Sequence, residues 1–163
     1  MISSNSVPVH ETPDIDMRMI SAICSGFLLA VLWFDMMFDV QVRETKSGDV
    51  PADALASIST YYARVTKGAN PMNRLVLVMM VASVLAHGAV IFVGGIPLWK
   101  SVTPFVLMVG AVGLAVTHTV GNAERLGRQT DDATELSSLA RSVFRDHKVC
   151  FAAISTGLVI TLI

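Results

Sequence analysis

Apolar residues run without a charged residue over positions 19–34, 75–99, 101–123 and 149–163, and nearly all ionisable positions fall between these runs. A hydrocarbon core needs roughly 20 helical residues to cross, so the second and third runs suffice as they stand. The first and fourth are shorter and draw polar neighbours into the membrane boundary. The pattern predicts an all-α, polytopic membrane protein: an up-down four-transmembrane-helix bundle with an amphipathic helix in the first cytoplasmic loop. Its spans cover about 19–40, 73–95, 101–122 and 144–163, within a single domain 18–163 that follows a short acidic tail at 1–17.

In more detail the chain reads as helix 18–42, amphipathic helix 50–66, span 71–95, a tight turn, span 101–126 and a long helix 132–163. Leu55, Ile58, Tyr62 and Val65 form an apolar stripe on the loop helix, with Asp49 as its expected N-cap. That helix is expected along the membrane surface or under the bundle. Leu136, Leu139, Val143 and His147 form a second stripe leading into the last span, and Asp132 and Glu135 favour the start of that helix. Pro71 opens the second span, Gly94-Gly95-Ile96-Pro97 makes the turn after it, and Pro104 is expected in the first turn of the third. The small-residue pairs Ala22/Gly26, Ala82/Ala86, Ala111/Ala115 and Ala153/Gly157 suit close helix packing. They serve either one compact chain or the interface of a homo-oligomer or membrane complex, and both readings stand.

Composition agrees with the lipid bilayer as the main partner: hydrophobic residues make up 53% of the chain and charged residues only 15%. A net charge of −1 without a Lys/Arg run argues against a nucleic-acid partner. Residues 1–18 are acidic, unlike a secretory signal, so the first apolar run is expected to be a retained span. Ten of the 12 Lys and Arg residues lie in 41–74 and 122–148, leaving Arg18 and Lys100 at the other ends. Under the positive-inside rule both long loops are cytoplasmic and both termini lie outside the cell membrane. Cys24 and Cys150 fall near opposite faces, too far apart for a disulfide. No metal-type spacing occurs, and the sequence indicates no cofactor while leaving a bound one, such as haem, open.

Alternation of the spans brings the polar ends together at the cytoplasmic third: Asp35 and Asp39, Asn73 and Arg74, His118, Asn122 and Arg125, and Arg145 and His147. Asp35 and Asp39 share a helix face at i, i+4, and Asp35 lies about one turn inside the hydrocarbon edge. An ionised carboxylate at that depth needs a partner, for which Arg74 and Arg145 are the candidates. His118 and Asn122 also share a face; with Asp35 or Asp146 nearby, His118 would act as acid or base close to neutral pH. His118, Asp35 and Asn122 are thus the candidate reacting residues. Asp39, Asn73, Arg74, Arg125, Arg145 and His147 are the candidate binding residues. A helix-end ion-pair network that merely locks the bundle explains the same cluster. His87 lies about 21 Å along the second span from Asn73 and is expected to be a packed polar residue. The methionines, scattered without a ladder, suit gap-filling.

The third-span exit, Thr117-His-Thr-Val-Gly-Asn122-Ala-Glu-Arg-Leu126, resembles a segment of the anthrone-oxygenase-like proteins, small four-helix membrane proteins whose third helix ends in Asn followed by Leu. The start of the last span, Ala140-Arg-Ser-Val-Phe-Arg-Asp-His147-Lys148, is similar to that family's final helix. Here Gly121 or Val120 stands where the family has Pro, and Phe144 where it has Trp. The resemblance implies an oxygenase-like activity on a hydrophobic aromatic compound, with Asn122 and His147 as carried-over positions. The functional expectation is therefore a membrane protein that binds, oxidises or isomerises a lipophilic small molecule. The alternatives are a non-catalytic membrane subunit or scaffold, and an oligomeric transporter.

Overall fold

In a computed structural model that describes residues 16–44, 48–68, 70–93 and 95–163, the chain is all-α, with no strand among the described residues. Helix α1 spans Met17–Asp39 and tightens into a 3-10 turn at Val40–Glu44. Helices α2 (Ala52–Lys67), α3 (Met72–Val90) and α4 (Leu98–Leu114) follow. A π-helical turn at Ala115–Thr119 leads into α5 (Val120–Arg128), and α6 (Ala133–Leu162) completes the fold. Three helical stretches are long and apolar enough to cross a membrane: Met17–Arg43, Met72–Val90 and Leu98–Arg128. They present Ile23, Leu77, Val81, Leu85, Val106 and Val109 on their outer faces. Exposed apolar surface of this extent fits a lipid environment rather than water.

Two apolar cores divide the molecule. At the polar end, Leu55, Ile58 and Tyr62 of α2 pack with Leu126 of α5 and Leu136, Leu139, Val143 and Phe144 of α6. The stripe on the loop helix is therefore buried against α5 and α6. Contact is close enough that a β-carbon at Gly127 would lie 2.7 Å from the Ala63 backbone nitrogen. Within the apolar half, Leu28, Met108, Ala111, Cys150 and Ile154 join α1, α4 and α6. Gly157 lies in the α4–α6 crossing, where a β-carbon would reach the Pro104 Cα at 3.5 Å, an ordinary packing contact. Gly26, by contrast, is exposed and touches nothing within 4 Å, so the Ala22/Gly26 pair does not pack helices within this chain.

Several local expectations hold. Asp132 caps α6, accepting from the Glu135 amide at 2.9 Å, and Pro71 stands at the start of α3. Gly95 takes a positive φ of 83° in the turn before α4. Both cysteines are buried and free. Others fail. Pro51, not Asp49, occupies the N-cap of α2, and Asp49 instead accepts from Thr134 Oγ1 at 3.3 Å. Because Pro97 lets α4 begin at Leu98, Pro104 lies inside that helix rather than in its first turn. Helix α3 ends at Val90, short of the expected 95. Residues 1–15 of the acidic tail, Lys46 and Gly94 lie outside the described residues.

Long-range hydrogen bonds fix which ends meet. Arg18 donates to the Thr161 carbonyl and Lys100 to the Ile163 carbonyl, so α1 and α4 begin where α6 finishes. At the opposite end Asp39 of α1 meets His147 of α6.

Candidate functional site

Asp35 and Asp39 stand one turn apart on α1, and α2 lays both of its tyrosines against them. Tyr61 Oη donates to Asp35 Oδ1 at 2.5 Å, and Tyr62 Oη donates to Asp39 Oδ1 at 2.7 Å. These charge-assisted bonds satisfy carboxylates that would otherwise be costly away from water. Tyr61 also stacks on Phe38 with ring centroids 4.1 Å apart. Burial, then the neighbouring Asp39 and Asp35 charges, pushes the Tyr62 phenol well above its ordinary value, and burial with Asp35 raises Tyr61 likewise.

Asp39 is almost wholly buried, and its second oxygen lies 2.6 Å from His147 Nδ1. A carboxylate only accepts, so Nδ1 carries the proton, and in the neutral ring the lone pair is on Nε2. Nε2 has no hydrogen-bond partner among the described residues. His147 lines a cavity of about 740 Å³. Its apolar wall includes Leu28, Leu32, Val76, Met80, Val112 and Ile154, and its polar groups are Asp35, Tyr61, Tyr62, Thr66, Asn73, Thr119, Glu124 and His147. A mostly apolar chamber with a few convergent polar groups is the usual form of a small-molecule site.

The π turn builds a second cluster. His118 Nδ1 donates to Asp146 Oδ2 at 2.6 Å, and the Asn122 amide lies 3.2 Å from His118 Nε2. Thr119 Oγ1 donates to the same Asp146 oxygen at 3.2 Å, and Arg145 Nε lies 3.6 Å from the other. The His118 side chain is 44% exposed. Inserted turns of this kind recur at functional positions because they re-aim side chains within a continuous helix.

The expected residues thus separate. Asp35, Asn73 and His147 line the cavity, and Asp39 stands behind His147. His118, Asn122 and Arg145 belong to the second cluster. Arg125 bridges to Asp131 at 3.3 Å and Glu135 at 3.0 Å on the exposed surface. Arg74 is exposed and forms no ion pair among the described residues. The expectation that Arg74 or Arg145 neutralises Asp35 is overturned, because Tyr61 holds Asp35. A neutral phenol satisfies the carboxylate without desolvating a second charge. His87 is buried, its Nδ1 2.8 Å from the Ser83 carbonyl.

Sequence reasoning overlooked Tyr61, the polar role of Tyr62, and Thr119. One signal was present: the chain holds only two tyrosines, adjacent on the amphipathic loop helix, and two aspartates one turn apart at the membrane edge. Among the described residues no group of three or more His, Cys, Asp or Glu side chains is placed to hold a metal ion. No protein family, curated protein or solved structure matches this chain.

Proposed function

We propose that α1, α3, the α4–α5 rod and α6 cross the cell membrane as an up-down bundle with both termini outside, and that the cavity at its cytoplasmic end binds a lipophilic small molecule. Several features support this topology. Nine of the 11 described Lys and Arg residues gather at the cavity end, and α6 exposes Val149, Val159 and Leu162 beyond its polar half. The observation that carries the binding reading is the cavity itself, an apolar chamber of about 740 Å³ ending on Asp35, Tyr61 and His147.

In this reading His147 accepts a proton at Nε2 from an acidic C–H or O–H of the bound molecule. Asp39 orients the ring and stabilises the imidazolium that results. Return of the proton to a different atom of the molecule completes an isomerisation without net oxidation. The resemblance to anthrone-oxygenase-like proteins bears on the same residue: of its two carried-over positions, His147 lines the cavity and Asn122 lies on His118 outside it. One observation favours a non-catalytic subunit instead. Asp39 joins α1, α2 and α6 through Tyr62 and His147, as a structural lock would.

Native mass measurement and organic extraction of the purified protein separate the two. The expected result is one lipophilic molecule retained by the wild type and lost from Val112→Phe, whose larger side chain intrudes into the cavity. Protein that neither retains nor takes up a lipophile in either form sinks the binding reading and leaves the lock.

A further inference from the structure

We infer that the cavity draws its ligand sideways from the bilayer and selects a polar head that donates hydrogen bonds, a hydroxyl or a protonated amine, over a carboxylate or phosphate. This rests on the cavity being the binding site.

The selection follows from what the polar end has left to offer. Its hydroxyl donors are already committed: Tyr61 to Asp35, Tyr62 to Asp39, Thr66 to the Tyr62 carbonyl and Thr119 to Asp146. What remains is mostly acceptor. Asp35 Oδ2 and His147 Nε2 have no partner among the described residues, and the Asn73 amide is the remaining donor. Charge points the same way. Asp35 and Glu124 line the cavity, Glu124 already paired with Arg128 at 3.3 Å, and among the described residues no lysine or arginine lines it. A protonated His147 would be offset by Asp39 at 2.6 Å. An anionic head would therefore face Asp35, whose partner is the neutral Tyr61 hydroxyl, a like-charge juxtaposition that is strongly disfavoured out of water.

The route follows from helix packing. Helix α3 packs chiefly on α1 and α4, whereas α5 leans on α2 and α6, so the two diverge toward the polar end. Met72 and Leu77 on one side and Val116 and Val120 on the other line the cavity and are also exposed on the outer surface. An apolar opening between apolar lips admits molecules dissolved in lipid more readily than molecules dissolved in water.

The full chain in phosphatidylcholine nanodiscs, titrated with 4-dodecylphenol, dodecylamine and dodecanoate at a pH that ionises the last, tests both parts after subtraction of uptake by empty discs. We expect the phenol and the amine to bind at least about tenfold more tightly than dodecanoate, with the gap shrinking in Asp35→Asn. Dodecanoate binding as tightly as either would overturn the selection while leaving the cavity reading intact. Failure of all three to exceed empty discs would remove the cavity reading and the inference with it. Leu77→Trp, at the lip, should slow association of the phenol several-fold without moving the unfolding temperature. An unchanged rate would overturn the sideways route.

Discussion

Two imidazole–carboxylate pairs sit back to back on α6, each 2.6 Å long, built from the consecutive residues Asp146 and His147. In one, α6 supplies the acid and the π turn the imidazole; in the other, α6 supplies the imidazole and α1 the acid. Their surroundings differ. The Asp39–His147 side chains are 0% and 9% exposed, and His147 keeps an unpartnered nitrogen on the cavity wall. His118 is open to the surroundings, and Asn122 already occupies its second nitrogen. Consecutive helical residues point about 100° apart, so one turn of α6 serves two faces of the fold. A short His–Asp distance therefore does not identify a site. Burial and a free ring nitrogen are what separate these two pairs.

Breaking each pair should expose that difference. His147→Ala leaves Asp39 buried with Tyr62 alone, and unfolding in detergent should show a loss of about 3 kcal/mol. An equal loss from His118→Ala would erase the distinction. Next in size is Gly127→Ala, which drives a β-carbon to within 2.9 Å of the Tyr62 carbonyl carbon. The α2 backbone must retreat from α5, carrying Tyr62 away from Asp39, at roughly 1–3 kcal/mol. Gly26→Ala, with nothing nearby, is the matched control and should be neutral or slightly stabilising.

Alkaline pH probes the buried pair more gently. The folded Tyr62 keeps its proton above the ordinary value of 10.0, where the unfolded chain releases it. Stability from this phenol is thus complete below pH 10.0 and falls as pH rises beyond it, by about 1.4 kcal/mol per unit. Tyr62→Phe should remove this share of the slope and leave that of Tyr61, and an unchanged slope would assign it elsewhere. The smallest effect belongs to His118→Ala. Asp146 retains Thr119 and Arg145, so less than about 1 kcal/mol should be lost.

Long-period features were legible in the sequence because they rest on hydropathy and capping, which act locally. The three apolar helices, the α2 stripe and the Asp132 cap all follow from them. Convergence of Asp39 with His147 was also within reach, since strict alternation requires it. What escaped depends on angles of a few tens of degrees. The inserted residue of the π turn decides which way His118 faces, and no periodicity of four reveals it. Tyr61 and Tyr62 read as members of an apolar stripe, because an amphipathic residue is scored by its ring before its hydroxyl. Charge alone points to arginine as the acid's partner, although a neutral donor suits a dry environment better.

Arg18 and Lys100 carry one more consequence. They hold the last carbonyls of α6 at one end while Asp39 holds His147 at the other. Sliding that helix by one residue, about 1.5 Å, would break all of these bonds together. Helix α3 has no comparable anchor: among the described residues its side chains hydrogen-bond only within itself. Helix α6 is therefore pinned at both ends of the cavity, whereas α3 is held beside it by packing.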